Sequence, residues 1–141
     1  MAKESLKRGA WALLAAMGSG VHAADDCTSA LNAANALVAE ADGARVLFVA
    51  RPAAVPVGRH FQIDFVVCNG NALRDDAKVQ VDADMPAHRH GMNYRAAVSP
   101  LGGGVQRADG LMFHMPGTWR VIFDVTLDGR ALRLTRELEV Q

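Results

Sequence analysis

Residues 119–140 alternate between apolar and polar side chains on both sides of an Asp-Gly pair. The apolar positions are Trp119, Val121, Phe123, Val125 and Leu127 before the pair, and Leu132, Leu134, Leu138 and Val140 after it. Alternation with a period of two is typical of a strand with one buried face, and Asp128-Gly129 favours a two-residue hairpin turn. This segment therefore predicts an antiparallel hairpin, which limits the chain to folds built on sheets.

A second alternation runs through residues 57–68 and predicts a half-buried strand. Its buried face is formed by Phe61, Ile63, Phe65 and Val67. Asn69-Gly70-Asn71 predicts a turn, residues 78–85 predict a further strand, and Gly102-Gly103-Gly104 predicts a flexible loop. Several short antiparallel strands in a chain of 141 residues indicate one all-β domain with the architecture of a β-sandwich.

The segment before these strands has a different period. Apolar side chains recur at helical spacing at Leu31, Ala34, Leu37, Val38 and Ala41. Thr28 or Ser29 can cap the start of a helix, and Gly43 can end it. We therefore predict a short N-terminal helical segment over residues 24–43, followed by a β-sandwich domain over residues 44–141.

The first 23 residues have the pattern of a secretory signal peptide. A basic start is followed by a short apolar run over residues 9–20, and Val21-His22-Ala23 offers small residues at the cleavage positions. The run is too short for a permanent membrane span. We expect cleavage after Ala23 and a periplasmic or secreted protein, although an N-terminal membrane anchor is the alternative.

The charge balance excludes two classes of partner. Residues 1–23 carry three of the 15 basic and one of the 15 acidic residues, so the remaining chain has 12 basic and 14 acidic residues and a net charge of −2. Nothing in this balance attracts nucleic acid or an anionic membrane. The two cysteines, Cys27 and Cys68, are most simply a disulfide in an oxidising compartment, although thiols at a copper site remain an alternative.

Histidine and methionine are concentrated in one part of the chain. Three of the five histidines and four of the six methionines lie between Met85 and Met115. His88 and His90 are two residues apart, so in an extended backbone both imidazoles lie on one face. If Leu111 and Phe113 face the core, the neighbouring His114 points away from it, as a site at the rim of a sandwich requires.

The candidate ligands of one metal ion are three imidazoles and two thioethers: His88, His90, His114, Met92 and Met85. Soft thioethers with imidazoles favour copper, in particular Cu(I). Zinc is the alternative, because Asp82 and Asp84 lie close in sequence. Met112 and Met115 are either ligands or core residues. His60 stands alone on its predicted strand and is expected at the surface.

The sequence gives no support for an enzyme. It contains no Gly-x-Ser-x-Gly, no His-Glu-x-x-His, no Cys/His nucleophile pair and no phosphate-binding glycine loop. We therefore expect a binding protein without a catalytic site.

Two segments carry a family resemblance. Met115-Pro116-Gly117-Thr118-Trp119 resembles the Met-Pro-Gly-x-Trp signature of YtkA-like and FixH-like exported domains, and Met85–Met92 resembles the segment that these domains carry one hairpin earlier. The resemblance covers about residues 44–127. It implies an immunoglobulin-like β-sandwich and, from several relatives, copper handling or the assembly of copper-containing respiratory enzymes.

The leading hypothesis is a periplasmic copper-binding protein that stores one copper ion or delivers it to an envelope copper protein or a respiratory-enzyme assembly partner. The alternative is a non-metal interaction module, an accessory domain in a cell-envelope assembly. A third hypothesis makes the histidines a pH-responsive contact surface.

Overall fold

The computed structural model describes residues 26–141, and the predicted signal peptide lies outside them. Within this range the chain forms one short helix, α1 (Asp26–Leu31), and ten strands: β1 (Leu37–Ala41), β2 (Ala44–Arg51), β3 (His60–Asn69), β4 (Ala72–Leu73), β5 (Lys78–Met85), β6 (His90–Gly91), β7 (Ala97–Gly102), β8 (Val105–Met112), β9 (Gly117–Leu127) and β10 (Arg130–Val140). No helix in the described part of the chain is long and apolar enough to cross a membrane.

The strands form two antiparallel sheets. The larger sheet has the order β1-β2-β3-β8-β7, with β4 also paired to β3, and the smaller sheet has the order β10-β9-β5-β6. The inner faces of the two sheets enclose the main core, in which Trp119, Phe48 and Phe113 are among the largest fully buried side chains. This confirms the predicted antiparallel β-sandwich with a short N-terminal helix.

The predicted hairpin between β9 and β10 is confirmed. Asp128 and Gly129 both adopt positive φ values, 50° and 74°, as a type I′ turn requires. The five apolar positions of β9 are all buried, and its register with β10 runs from Gly117↔Val140 to Leu127↔Arg130.

The N-terminal helix is shorter than predicted. It ends at Leu31, and residues 37–41, which we assigned to the helix, form β1 at the edge of the larger sheet. Asp42 and Gly43 have φ values of 50° and 81° and turn the chain from β1 into β2. The prediction of a helix up to Gly43 is therefore wrong, because pairing with β2 outweighs the helical spacing of the apolar residues.

The outer face of the larger sheet is partly covered by α1. Cys27 of α1 is bonded to Cys68 of β3, which confirms the predicted disulfide. Around this bond Leu31, Leu47 and Val66 form a second, smaller core. The second half of β3 is therefore buried on both faces, whereas we predicted one buried face.

Asp64 is the buried charged residue of β3, with 3% of its surface exposed. Its carboxylate accepts hydrogen bonds from Arg107 on β8 and from Arg51 on β2, with Nε to oxygen distances of 2.6 and 2.7 Å. These two guanidinium groups, Arg107 foremost, lower the pKa of Asp64 although burial acts in the opposite direction. The carboxylate therefore joins three neighbouring strands of the larger sheet.

A β-bulge interrupts the pairing of β3 with β8. Phe61 pairs with Leu111 and Gln62 with Asp109, so Gly110 is left without a partner, at φ 89°. Such a glycine at positive φ accommodates the extra residue of a bulge. On the other side of β8, Gly102, Gly103 and Gly104 form the tight turn from β7, where we predicted a flexible loop.

Candidate metal centre

Two connections at one end of the sandwich carry the predicted histidines. The first follows β5, where Pro86–His88 form a single 3-10 turn and Arg89 adopts φ 55°. The chain then returns as β6, in which His90 pairs with Met85. His88 is therefore not in an extended segment, so the condition under which strand geometry would align the two imidazoles is not met. The turn brings them together instead.

The second connection joins β8 to β9 and carries His114. Phe113 before it is fully buried and stacks on Trp119 with ring centroids 4.4 Å apart. The indole Nε1 of Trp119 donates a hydrogen bond of 2.9 Å to the carbonyl oxygen of Met115. Because Phe113 points inward, His114 points outward and is exposed, as predicted.

The three imidazoles form one group, which we call the histidine cluster (His88, His90 and His114). The ring centroid of His90 lies 5.8 Å from that of His88 and 4.9 Å from that of His114. His90 and His114 also contact the indole of Trp119 edge-on, at 5.8 and 5.3 Å. His88 and His114 are exposed and His90 is half-buried, so the cluster lies at the surface above the core.

The central imidazole contains an unsatisfied polar atom. Nδ1 of His90 is buried and has no hydrogen-bond partner among the described residues. A buried polar atom without a partner costs about 1–3 kcal/mol, and such atoms are rare in folded proteins. In a neutral imidazole one ring nitrogen is an acceptor that can also coordinate a metal ion.

The cluster is not arranged as a finished metal site. Among residues 26–141 no group of three histidine, cysteine or acidic side chains is placed to hold one ion. Side-chain rotation of the exposed His88 and His114 would be required to bring their nitrogens to the ligation distance of about 2.0–2.1 Å. This end of the sandwich therefore offers neighbouring imidazole nitrogens as potential metal ligands.

The methionines divide between the core and the surface. Met85 is 2% exposed and belongs to the main core, where its methyl group lies against Gly117. Met115 is half-buried against the same core. Met92 also packs against it, and its Sδ accepts a hydrogen bond of 3.4 Å from the backbone N–H of Met112. Metal ligation by Met85 and Met92 stays a prediction. The side chain of Met85 is enclosed in the core, so an ion could contact it only from the inside of the sandwich.

The two carboxylates considered for zinc have other roles. Asp84 forms a two-point ion pair with Arg120, with nitrogen to oxygen distances of 2.9 and 2.5 Å. Asp82 accepts a hydrogen bond from the backbone N–H of Ala83. Both alternate along β5 with the buried Val81, Ala83 and Met85, so they lie on the outer face of the smaller sheet.

One neighbourhood was missed by sequence reasoning. His60 is exposed, as predicted, but it is not alone, since its ring contacts that of Tyr94 at 4.9 Å and its register partner on β8 is Met112. Strands β3 and β8 are far apart in sequence, so no local pattern connects His60 with Met112.

Comparison with known proteins identifies a family and a fold. The family model described as YtkA-like matches residues 39–124, which confirms the predicted relationship. A comparison with curated proteins finds no match. The crystal structure of a DUF4426 family protein from Pseudomonas aeruginosa PAO1 is similar with a TM-score of 0.54 and 13% identity, over 74% of this chain and 94% of that one. At this identity the likeness shows a common fold alone.

Proposed function

This chain belongs to the YtkA-like family, and from that premise we propose that it is a periplasmic protein that binds one copper ion through the histidine cluster and stores it or passes it to a partner. The proposal assigns binding and no catalysis. It is carried by a single observation, the convergence of three imidazoles from two separate connections at one end of the sandwich.

The unsatisfied nitrogen of His90 supports this proposal. Its position between His88 and His114 makes it the natural central ligand, and coordination would give its imidazole a partner that the described residues do not supply. The outer imidazoles are exposed and can move toward an ion bound at His90. A partly exposed site is also what transfer requires, because ligands of a partner must be able to enter it.

Copper is the ion that the surroundings favour. The carboxylates of Asp82 and Asp84 lie on the outer face of the smaller sheet, and Asp84 is engaged by Arg120. The nearby uncharged donors are imidazoles and thioethers, which suit copper better than magnesium or calcium. Zinc remains the competing ion, because imidazole also binds zinc.

Export supports a copper-handling role in the envelope. The predicted signal peptide and the disulfide between Cys27 and Cys68 both fit an oxidising compartment. Cell fractionation with an antibody against the chain tests this part of the proposal. We expect the chain in the periplasmic or secreted fraction, and its recovery with cytoplasmic markers would contradict the assignment.

A Cu(I) titration against a chromophoric chelator tests the metal site. We expect the double variant His88→Ala/His90→Ala to bind one Cu(I) ion fewer than the wild type, or to bind that ion at least about tenfold more weakly. Changes around a metal ligand typically have an effect of this size. Asn93→Ala serves as the control, since Asn93 is an exposed residue of the following loop. Unchanged affinity in the double variant would show that the histidine cluster is not the site.

The alternative function is a non-metal accessory module. It is favoured by the absence of three suitably placed ligands in the described residues and by the contacts of His90 and His114 with Trp119, which give the imidazoles a packing role. If purified protein takes up no copper or zinc and binds an envelope partner, this alternative replaces the copper proposal. Partner binding that follows pH without metal would favour the contact-surface hypothesis.

A further inference from the structure

His60 and Met112 lie side by side on the outer face of the larger sheet. His60 opens β3, Met112 ends β8, and the two are direct register partners. The next pair along the strands, Phe61 and Leu111, is buried in the core. Because side chains alternate between the two faces of a sheet, His60 and Met112 both point outward. His60 is exposed and Met112 is half-buried.

The loop between β6 and β7 adds further groups to this pair. Met92 lies beside the end of β8, since its Sδ accepts the N–H of Met112 at 3.4 Å. Two residues later, the ring of Tyr94 meets that of His60 edge-on at 4.9 Å, and Tyr94 is 44% exposed. The loop therefore lies against both members of the pair.

We propose that His60, Met92 and Met112, together called the outer His/Met set, form a second soft-metal site that binds Cu(I). Residues directly opposite on antiparallel strands have Cβ atoms about 4.5–5.5 Å apart, close enough for an imidazole and a thioether to reach one ion. Methionine has three rotatable side-chain bonds and adapts readily. The Sδ of Met92 retains a lone pair besides the one that accepts the Met112 N–H.

The ligand types select the ion. Two thioethers and one imidazole are neutral, and thioethers prefer soft monovalent copper over zinc or divalent copper. No carboxylate belongs to the set. The outer His/Met set is thus softer than the histidine cluster, which consists of imidazoles, and the two sites are expected to differ in their preference for Cu(I).

The second site does not rest on the function proposed above, because the two sites use different histidines. It also accounts for Met92, whose sulfur contacts Met112. Met112 and His114 are two residues apart on the same segment, so the sites adjoin. An ion could therefore be exchanged between a softer and a harder site on one chain.

Methyl NMR with Ag(I), a redox-stable substitute for Cu(I), tests the proposal. The chain is expressed with its leader, exported, labelled at the methionine methyl carbons and titrated. We expect the signals of Met92 and Met112 to shift with saturation. His60→Gln and Met112→Leu should each weaken this binding at least about tenfold. Both are conservative in size, and the dispersion of the remaining methyl signals verifies that the variants fold.

The double variant His88→Ala/His90→Ala separates this proposal from the previous one. If the second site exists, the shifts of Met92 and Met112 persist in that variant even when the binding at the histidine cluster is lost. Absence of these shifts in the wild type would overturn the outer His/Met set. So would an unchanged affinity in His60→Gln, read from Met92 and Met112, and in Met112→Leu, read from Met92 alone. Neither result would affect the histidine cluster.

Discussion

The imidazole of His114 stands edge-on to the indole of Trp119, with ring centroids 5.3 Å apart and ring planes at 82°. His90 meets the same indole at 5.8 Å. Trp119 is the sole tryptophan within residues 26–141, because the chain's other tryptophan, Trp11, belongs to the predicted leader. In protein that lacks the predicted leader, the tryptophan fluorescence therefore comes from a residue that contacts the histidine cluster.

Binding of Cu(II) at the histidine cluster should quench this fluorescence. A paramagnetic ion held by His90 and His114 lies within a few bond lengths of the indole and deactivates its excited state. We expect the quenching midpoint to move at least about tenfold to higher copper concentration in His88→Ala/His90→Ala. Zinc, which is diamagnetic, should bind without comparable quenching. The same midpoint in wild type and variant would contradict this assignment.

The ion pairs of Asp64 should make stability depend on pH. Arg107 and Arg51 lower the folded-state pKa of Asp64 below its ordinary value, so its contribution is fully present above the unfolded pKa of about 3.9. The contribution is lost as the pH falls through the folded pKa. Asp64→Asn should therefore destabilise the protein by about 1.5–3 kcal/mol at pH 7, the range for hydrogen bonds to charged groups.

Urea unfolding at pH 7 and in strong acid measures this effect. The difference in unfolding free energy between wild type and Asp64→Asn should shrink in acid, where Asp64 becomes neutral. Asp75→Asn, at an exposed position, is the control and should change stability by less than about 0.5 kcal/mol. A difference that stays constant with pH would mean that packing, and not charge, explains the effect.

Gly117→Ala should test the fit between the β8–β9 turn and the core. Gly117 has φ 127°, and a Cβ there would lie 2.8 Å from the methyl carbon of Met85, which would have to move. Gly129→Ala is the matched control, because Gly129 also has a positive φ but open space around it. Positive φ costs a non-glycine residue roughly 1–2 kcal/mol.

We expect Gly117→Ala to cost about 0.5–1.5 kcal/mol more than Gly129→Ala, the scale of a displaced side-chain rotamer. Thermal unfolding of both variants gives the comparison. The methyl signal of Met85 should shift in Gly117→Ala and stay in place in Gly129→Ala. Equal costs with an unmoved Met85 signal would show that the turn tolerates the added methyl group.

Removal of the disulfide should loosen the N-terminal part of the chain. Cys27 and Cys68 are 41 residues apart, and closing a loop of that size stabilises the fold by roughly 4 kcal/mol in the chain-entropy model. Cys27→Ser/Cys68→Ser should lower the unfolding free energy by up to that amount. Amide exchange should then accelerate in α1. Reduction of the wild type is the control, and protection of α1 that survives both treatments would contradict the prediction.

The strands with one buried face could be predicted from the sequence. In β9 the alternating apolar residues from Trp119 to Leu127 are all buried, and Asp128-Gly129 predicts the turn that follows. The pattern is clear there because one face of the strand is buried and the other faces water, so the polarity of each residue depends on the face to which it points.

Residues 31–41 could not be assigned by the same reasoning. Their apolar spacing fits a helix, but Leu37 through Ala41 gain ladder hydrogen bonds by pairing with β2 along one side. The Asp42-Gly43 dipeptide is the same hairpin signal as Asp128-Gly129, and it would have corrected the assignment. We interpreted its glycine as the end of a helix.

The candidate sites were partly predictable for a related reason. His88 and His114 lie in two short connections and His90 lies on the adjoining strand β6, so the local patterns place all three near one end of the sandwich. His60 joins Met112 through strands separated by four others in the chain, and this pairing depends on the topology of the whole sheet. No local pattern contains that information.

Gly110 determines which residues of β8 reach the solvent. Before the bulge, Ala108 faces the core and Asp109 faces outward, whereas beyond it Leu111 faces the core and Met112 faces outward. Without the extra residue the order would be inverted, which would turn Met112 inward and Leu111 outward. The single extra residue of the bulge thus reverses which face of the sheet each following residue of β8 points to. Deletion of the Gly110 codon would therefore turn Met112 of the proposed outer His/Met set toward the core, with every proposed ligand residue still encoded.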